Sequence, residues 1–345
     1  MTDQITLSLE EVEELTRTAL KTCGASGQQL EIATQSVVDA ECDGIRAVGL
    51  NYLPIYCGHL QHAKLNGDAA PQHHQIAPSA IQSDAANGFA HAAYVEAEND
   101  FYALVSQQGI AALSIVNSYS AGVVGWFVQR MAENGLIGIG FANSPSAVSP
   151  APGARPFFGT NPMAFAVPRK GAAPIVADMA TSQVALVTIK QRAAAGEPIP
   201  LGWGYNAEGN LTDDAAAVID GGSLAPVGGY KGTLLGMLVD ILAGALAGPN
   251  CSYAAPMFKN NEGTYPAVGQ FFLAIAPGQF SPSNADQFSS RLEQMLAALA
   301  EEPGVRLPGD RRQSCRQQAT SEGVEVPMAL YEKLQSLGKP VRSNL

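Results

Sequence analysis

The sequence is short of positive charge, of aromatic rings and of every compact motif that usually announces a metal, nucleotide or hydrolase site. Its 345 residues carry 20 Lys and Arg against 31 Asp and Glu, a net charge of −11, so the chain's field repels phosphate backbones and acidic membrane surfaces. Nucleic acid is excluded as an expected partner. Five cysteines (Cys23, Cys42, Cys57, Cys251, Cys315) are odd in number and scattered, with no C-x-x-C pair. That spacing argues against a disulfide framework or a zinc knuckle and for reduced thiols inside a cell. Residues Met1 to Gln4 open no basic segment followed by an apolar run, so no signal peptide is read and a cytoplasmic location is expected. The most apolar stretch, 232–248, is too short to cross a bilayer and carries Asp240 in its middle, so no membrane partner is expected either.

Catalytic signatures are equally sparse. The five histidines, His59, His62, His73, His74 and His91, include no H-E-x-x-H pattern, and no metal is expected. G-x-S-x-G is absent, and Lys231 follows Tyr230 where a Walker loop needs glycine. Gly138-Ile139-Gly140 reaches Asn143 where the third glycine of a dinucleotide fingerprint belongs, so a doubly wound Rossmann domain is not indicated.

What is present is apolar content: 46% hydrophobic against 15% charged residues, enough to bury a core, in a length that suggests two or three lobes. Ser8 with Glu11 three residues on, then Leu9, Val12, Leu15 and Ala19, then Gly24, predicts a capped and terminated helix. A second helix is predicted over 28–42, followed by a looser, Gly/Pro-punctuated stretch over 43–59. From residue 111 the texture becomes short apolar runs bounded by Gly, Pro or Asn, which predict strands at 111–116, 136–142, 163–167, 175–177 and 270–276. Helices are predicted between them at 122–134, 183–195 and 233–247, with closing helices at 285–300 and 328–337. The Gly/Pro/Asp-rich region 195–229 reads as a long functional connection. The result is an α/β chain.

Four pieces place backbone amides or cations where an anion could approach: Gly159-Thr160-Asn161-Pro162, Asp178 to Ser182, Gly228-Gly229-Tyr230-Lys231-Gly232, and Arg306 to Arg312. Each alone has a plainer reading. Thr181-Ser182 reads as a helix cap and Gly228-Gly229 as a turn. Three arginines within seven residues of an acidic chain are harder to set aside, because clustered like charges without partners are costly.

Taken in order, together with Asp84 to Ala90 and Gly202-Trp203-Gly204, these pieces resemble the type-2 malate/L-lactate dehydrogenase family. They look most like its branch of Δ1-piperideine-2-carboxylate/Δ1-pyrroline-2-carboxylate reductases. The resemblance implies an α/β, non-Rossmann NAD(P)-binding fold, similar to malate/L-lactate and sulfolactate dehydrogenases, with a mixed sheet and helical N- and C-terminal parts. It implies a helical part with a substrate loop over 1–110, joined by 285–345, around an NAD(P)-binding α/β domain over 111–284. It also implies a homodimer acting on a small molecule, with NADPH, or alternatively NADH, as cofactor. The cofactor would lie along Ser120, Ala121, Gly122, Val123 and Val124, along Asp178, Met179 and Ala180, at Gly229 and Lys231, and along Arg306, Gly309, Arg311 and Arg312. Thr160 would bind substrate.

The resemblance also exposes departures. Relatives carry Ser-His-Gly after the second helix, the histidine giving a proton and the serine belonging to a relay with a later aspartate. Here those positions are Ala47, Val48 and Gly49, and Gln191 stands where the aspartate is aligned. Tyr52 replaces an arginine that grips the substrate carboxylate, and Ser120 replaces a histidine. Reducing a ketone requires a proton donor, commonly contributing ~10² to 10⁴ in rate, and valine supplies none. A cyclic imine bound as an iminium needs no further donor. Val48, Tyr52 and Thr160 thus become the expected substrate contacts, and Tyr52 and Tyr119 the nearest candidate proton donors. The expected function is reduction of a cyclic C=N by NAD(P)H. Two alternatives stay open: a 2-oxo or imino acid reductase using other residues, and a redox-inactive scaffold acting as a lyase, cyclase or binding protein.

Overall fold

The computed structural model describes residues 3–153, 155–258, 260–280 and 286–339. Residues 1–2, 285 and 340–345 of the expected terminal parts lie outside them. In chain order the strands are β1 (Gln4–Leu7), β2 (Gln72–Ala77), β3 (Ala80–Asp84), β4 (Ile110–Ser118), β5 (Ile137–Ala142), β6 (Met163–Val167), β7 (Ile175–Met179), β8 (Gly204–Tyr205), β9 (Leu211–Thr212), β10 (Ser223–Leu224), β11 (Val268–Ile275) and β12 (Val324–Pro327). The helices are α1 (Leu9–Thr22), α2 (Gly27–Cys42), α3 (Leu53–Gln61), α4 (Ala90–Gln108), α5 (Val124–Glu133), α6 (Leu186–Ala195), α7 (Ala215–Ile219), α8 (Tyr230–Val239), α9 (Asp286–Ala300), α10 (Asp310–Glu322) and α11 (Met328–Leu337).

The capping box that opens α1 forms as the sequence predicts: the Glu11 N–H donates to the Ser8 hydroxyl at 3.2 Å and the Ser8 N–H to the Glu11 carboxylate at 2.7 Å. Gly24, at φ +112°, ends it. The stretch 43–59, expected to be loop-like, instead contains a 3₁₀ turn at Arg46–Val48 and the start of α3. Pro54 hid that helix, because in a first turn the missing N–H costs no hydrogen bond.

A seven-stranded sheet in the order β2-β3-β4-β11-β5-β6-β7 forms the centre. Only β3 and β4 run parallel, joined through α4; every other neighbouring pair is antiparallel. This mixed sheet is not a doubly wound parallel one, which accounts for the missing glycine fingerprint. The sheet also runs across position 110, since β2 and β3 precede it and β4 follows it. Tyr94, Phe101, Leu113, Phe127 and Phe272 are fully buried between the sheet and α4 and α5. A second cluster, built on Val12, Leu20, Val37, Leu53 and Leu334, holds α1, α2, α3 and α11 together. β1 pairs antiparallel with β12, fastening the two ends of the chain to each other. The connection at 195–229 is not one long loop, because it carries the small sheet β10-β8-β9 and α7. α8 passes into a π-helical turn at Asp240–Leu246.

Thermal unfolding should separate the two kinds of determinant. Phe272→Ala is expected to cost about 3–5 kcal/mol through its cavity, and Ser8→Ala about 1 kcal/mol through the lost cap.

Candidate functional site

Two of the four singled-out pieces are joined to each other by hydrogen bonds, and the residues that flank a third are bonded to them. The Thr181 N–H and hydroxyl both donate to the Thr160 carbonyl, at 2.9 and 3.0 Å. The Val227 N–H donates to the Thr181 carbonyl at 2.9 Å, and the Asn161 side-chain amide to the Gly236 carbonyl at 3.0 Å. Thr181-Ser182 is therefore not the expected helix cap. α6 starts at Leu186 behind Ala185, with no side-chain cap. Gly228 and Gly229 hold φ of +59° and +65° and deliver the chain into α8, whose N-terminus also has no side-chain cap and lies beside exposed Lys231. Met179 is exposed and Ala180 half-buried beside them.

The fourth piece arrives through Asp178. Its carboxylate accepts the Gly125 N–H at 2.8 Å, at the start of α5, and lies 3.5 Å from Arg312 Nη2. Arg312 is also 3.7 Å from Asp43, which binds Arg316; Arg316 lies 3.7 Å from Asp39, and Asp39 accepts the Trp126 indole N–H at 2.8 Å. A Cβ on Gly125 would stand 2.5 Å from Arg312 Nη1, so only glycine admits this guanidinium. Gly309, at φ +101°, brings α10 against β7. Arg312 Nη1 is buried without a hydrogen-bond partner. The arginines thus separate: Arg312 turns inward, while Arg306 and Arg311 are exposed. Burial raises the Asp178 carboxyl above its ordinary value, with the Gly125 N–H and Arg312 opposing. The sequence reading missed Asp39, Asp43 and Arg316. The four-residue spacing of Arg312 and Arg316, one face of a helix, is the signal that could have found the last.

The turn expected to meet substrate is held by its backbone. Buried Glu41 accepts the Leu50 N–H at 2.6 Å, and a Cβ on Gly49 would fall 2.2 Å from that carboxylate oxygen. Burial raises the Glu41 carboxyl. Val48 is half-buried against the sheet core and Ala47 half-buried beside it. Tyr52 caps α3, half-buried, with its ring edge-on to Tyr56 at 4.9 Å. Tyr119 is fully buried, and its hydroxyl is 2.5 Å from His59 Nδ1. Burial pushes the Tyr52 phenol up to about 12 and raises Tyr119 well above its ordinary value. Both stay protonated at neutral pH.

Ser120, Ala121, Gly122 and Val123 continue directly from Tyr119 into α5. Gly122 takes φ +57°, and a Cβ there would face His91 at 3.4 Å and the Tyr56 hydroxyl at 3.7 Å. The phenol cluster, the 120–124 turn and Asp178 therefore adjoin one another. Gln191 stands exposed on α6. Surface cavities of about 430 and 340 Å³ lie elsewhere, against α1 and α11 and against β2, and neither is lined by an expected site residue.

The family model for malate/L-lactate dehydrogenase matches residues 7–335. The chain belongs to that family. Within the malate/L-lactate dehydrogenase family it is 37% identical over 330 residues to a (2R)-3-sulfolactate dehydrogenase (NADP(+)) of Chromohalobacter salexigens, covering 96% of this chain and 97% of the relative. It is 34% identical to a Δ1-pyrroline-2-carboxylate reductase of Ancylobacter novellus, over 98% and 99% of the two chains. The crystal structure of a Δ1-piperideine-2-carboxylate reductase from Pseudomonas syringae pvar. tomato superposes with a TM-score of 0.90 at 32% identity, over 96% and 99%.

Two outcomes follow from the geometry. Burial drives the His91 imidazole from 6.5 down to about 3. Its neutral form is favoured in the folded state, so stability should fall as pH drops from 6.5 toward 3, by up to about 1.4 kcal/mol per pH unit; denaturant titrations of His91→Phe should show a flatter slope. Arg312→Ala leaves Asp178 and Asp43 short of a cation and should cost on the order of 2 kcal/mol, between an exposed and a fully buried pair.

Proposed function

We propose that the protein is an NADPH-dependent reductase of a cyclic C=N substrate. Family membership makes it an oxidoreductase. The NADP(+) and pyrroline-2-carboxylate relatives support the cofactor and the substrate class. The observation that carries the reading is the turn at 47–52. It presents Ala47, Val48 and Tyr52, with no acid and no guanidinium, beside a glycine turn leading to Asp178.

The cofactor fits the residues present. The α8 N-terminus has no side-chain cap, Lys231 stands beside it, and Arg312, though ion-paired, keeps a buried Nη1 without a hydrogen bond. When bound, NADPH supplies the hydride. Asp178, Met179 and Ala180 with Gly229 and Lys231 would hold it from one side and Ser120 to Val124 from the other. Thr160, fixed through Thr181, would orient the substrate. A substrate arriving as an iminium is neutralised by hydride, so Val48 need only shape the pocket and exclude water. An unpaired buried carboxylate costs several kcal/mol, and Tyr52 replaces a bidentate arginine poorly, which favours a substrate with no carboxylate at that point.

Arg306 and Arg311, being exposed, are the residues proposed to read the 2′-phosphate. Arg312, tied to Asp178, would act on both dinucleotides alike. The homodimer we propose forms through the face of α8 and its π-helical extension, where Leu234, Met237, Leu238 and Ile241 are 41, 42, 43 and 50% exposed. A cytoplasmic setting suits five free thiols.

Three measurements test this. NADPH oxidation should proceed with cyclic imines and not with pyruvate; clear turnover of pyruvate would overturn the mechanism. Arg311→Ala should raise KM for NADPH well above any rise for NADH, whereas equal effects would remove the 2′-phosphate role. Light scattering should give twice the chain mass, with Leu238→Glu shifting it to the monomer.

A further inference from the structure

Asp240 opens the π-helical turn that follows α8 and is 5% exposed, in a segment otherwise made of Leu, Ile, Ala and Gly. Such turns are rare and recur at functional sites. The carboxylate accepts the Ser252 N–H at 3.0 Å and the Ser252 hydroxyl at 2.7 Å, with the Asn143 amide farther off at 3.5 Å. Among the described residues no cation pairs with it. A buried carboxylate met by neutral donors alone is costly, and its partners lead to the site.

Ser252 is fully buried, and its hydroxyl oxygen also lies 3.0 Å from Asn161 Oδ1. One proton serves two acceptors, so Ser252 is held between them. Asn161 is itself fully buried at φ +36°, in the left-handed region that Asn tolerates better than most residues. Its Nδ2 donates to the Gly236 carbonyl at 3.0 Å and its Oδ1 accepts the Ser144 N–H at 3.3 Å. Turning the amide over would set an oxygen against that carbonyl. Gly159 closes the turn on Ser144, where a Cβ would stand 2.3 Å from the carbonyl oxygen, and the Thr160 carbonyl is taken twice by Thr181. The turn is thus fixed at three successive residues. Thr160 is half-buried, and its hydroxyl has no hydrogen-bond partner among the described residues.

We propose that Asp240, placed by the π-helical turn and acting through Ser252 and Asn161, is a positioning residue for the substrate contact at Thr160. Asp240 anchors Ser252, Ser252 anchors the Asn161 amide, and that amide fixes the direction in which the neighbouring Thr160 hydroxyl meets the substrate. The cofactor stretch does not depend on this chain, because Asp178 is held by Gly125 and Arg312 and β7 by its pairing with β6. Loss of Asp240 loosens the substrate turn and spares the cofactor side. The inference deepens the reading of the site as an imine reductase and rests on it.

The test uses whichever five-, six- or seven-membered cyclic imine the wild-type protein turns over fastest with NADPH. Asp240→Ala removes the anchor and Ser252→Ala removes the link. In each, KM for the imine should rise roughly 3- to 10-fold, the worth of a hydrogen bond, while KM for NADPH moves far less. Asp240→Asn keeps an oxygen that can accept from both Ser252 groups and should restore most of the affinity. If Asp240→Ala does not fold, Ser252→Ala and Asp240→Asn decide by the same two KM values. An unchanged KM for the imine in the alanine variants, equal rises in both KM values, or no rescue by Asp240→Asn overturns the inference while the reductase reading stands. Turnover of none of the three imines by wild type sinks that reading and the inference with it.

Discussion

The site depends on one buried carboxylate. Asp178 stands next to the end of β7, takes an amide of the first turn of α5 through Gly125, and meets a guanidinium from α10. Four separated parts of the chain, counting Asp43 behind that guanidinium, are thereby held at one point. Burial works against a charged Asp178, and the amide and Arg312 work for it, so neither contact is dispensable. The lack of a Cβ at Gly125 is part of the same arrangement, since any side chain there would displace the guanidinium. The backbone ladder from Thr160 through Thr181 to Val227 then ties that position to the 159–162 turn and to the start of α8.

The acidity of the chain and its cationic residues are not in conflict once the pairs are traced. Arg312 and Arg316 are consumed by Asp39, Asp43 and Asp178 in a compact cluster under the site. Arg306, Arg311 and Lys231 remain exposed around it. These two arginines thus keep the fold's own carboxylates balanced, and the outward cations can meet an anionic ligand without first breaking one of these pairs. This division of labour is an argument about cost, because a ligand that had to displace Asp178 from Arg312 would strand a buried charge.

How much of this the sequence discloses depends on how local the determinant is. β6 and α11 fall at their predicted limits, β4 and β7 extend their predicted runs by one or two residues at an end, and β5 and β11 lie within two residues of theirs, because unbroken apolar runs between glycines, prolines and asparagines dictate buried strands. α4 was invisible for the opposite reason: Ala90, His91, Ala92, Ala93 and Tyr94 are all buried at its start, so no polar stripe marks a helical period. β2 is an exposed edge strand of Gln, His and Ile, without alternation. The four glycine- and arginine-bearing pieces were legible as a set: two of them bond to each other directly, and the third is tied to them through the residues that flank it. What no local pattern supplied was the inward turn of Arg312, which needs Asp43 and Gly125 from far away in the chain. The partners of His59 are equally remote, Tyr119 lying 60 residues along the chain and Asn260 lying 201.

That distinction explains how the reacting positions can change while the framework persists. The turn at 47–52 owes its shape to backbone groups and to Glu41: the Leu50 N–H reaches that carboxylate, the Tyr52 N–H reaches the Gly49 carbonyl at 2.9 Å, and Gly49 leaves the room. None of these uses the side chains of Ala47 or Val48, and the α3 cap at Tyr52 has no side-chain hydrogen bond to the helix. Substitution of Ala47 or Val48 therefore leaves these backbone contacts in place. The Tyr119–His59 pair behind that turn is the converse case, buried with both ring nitrogens of His59 in contact with partners, where a polar group without a partner would cost on the order of 1–3 kcal/mol. The side chains on the surface of this turn are therefore free to vary, while those in the layer beneath are constrained.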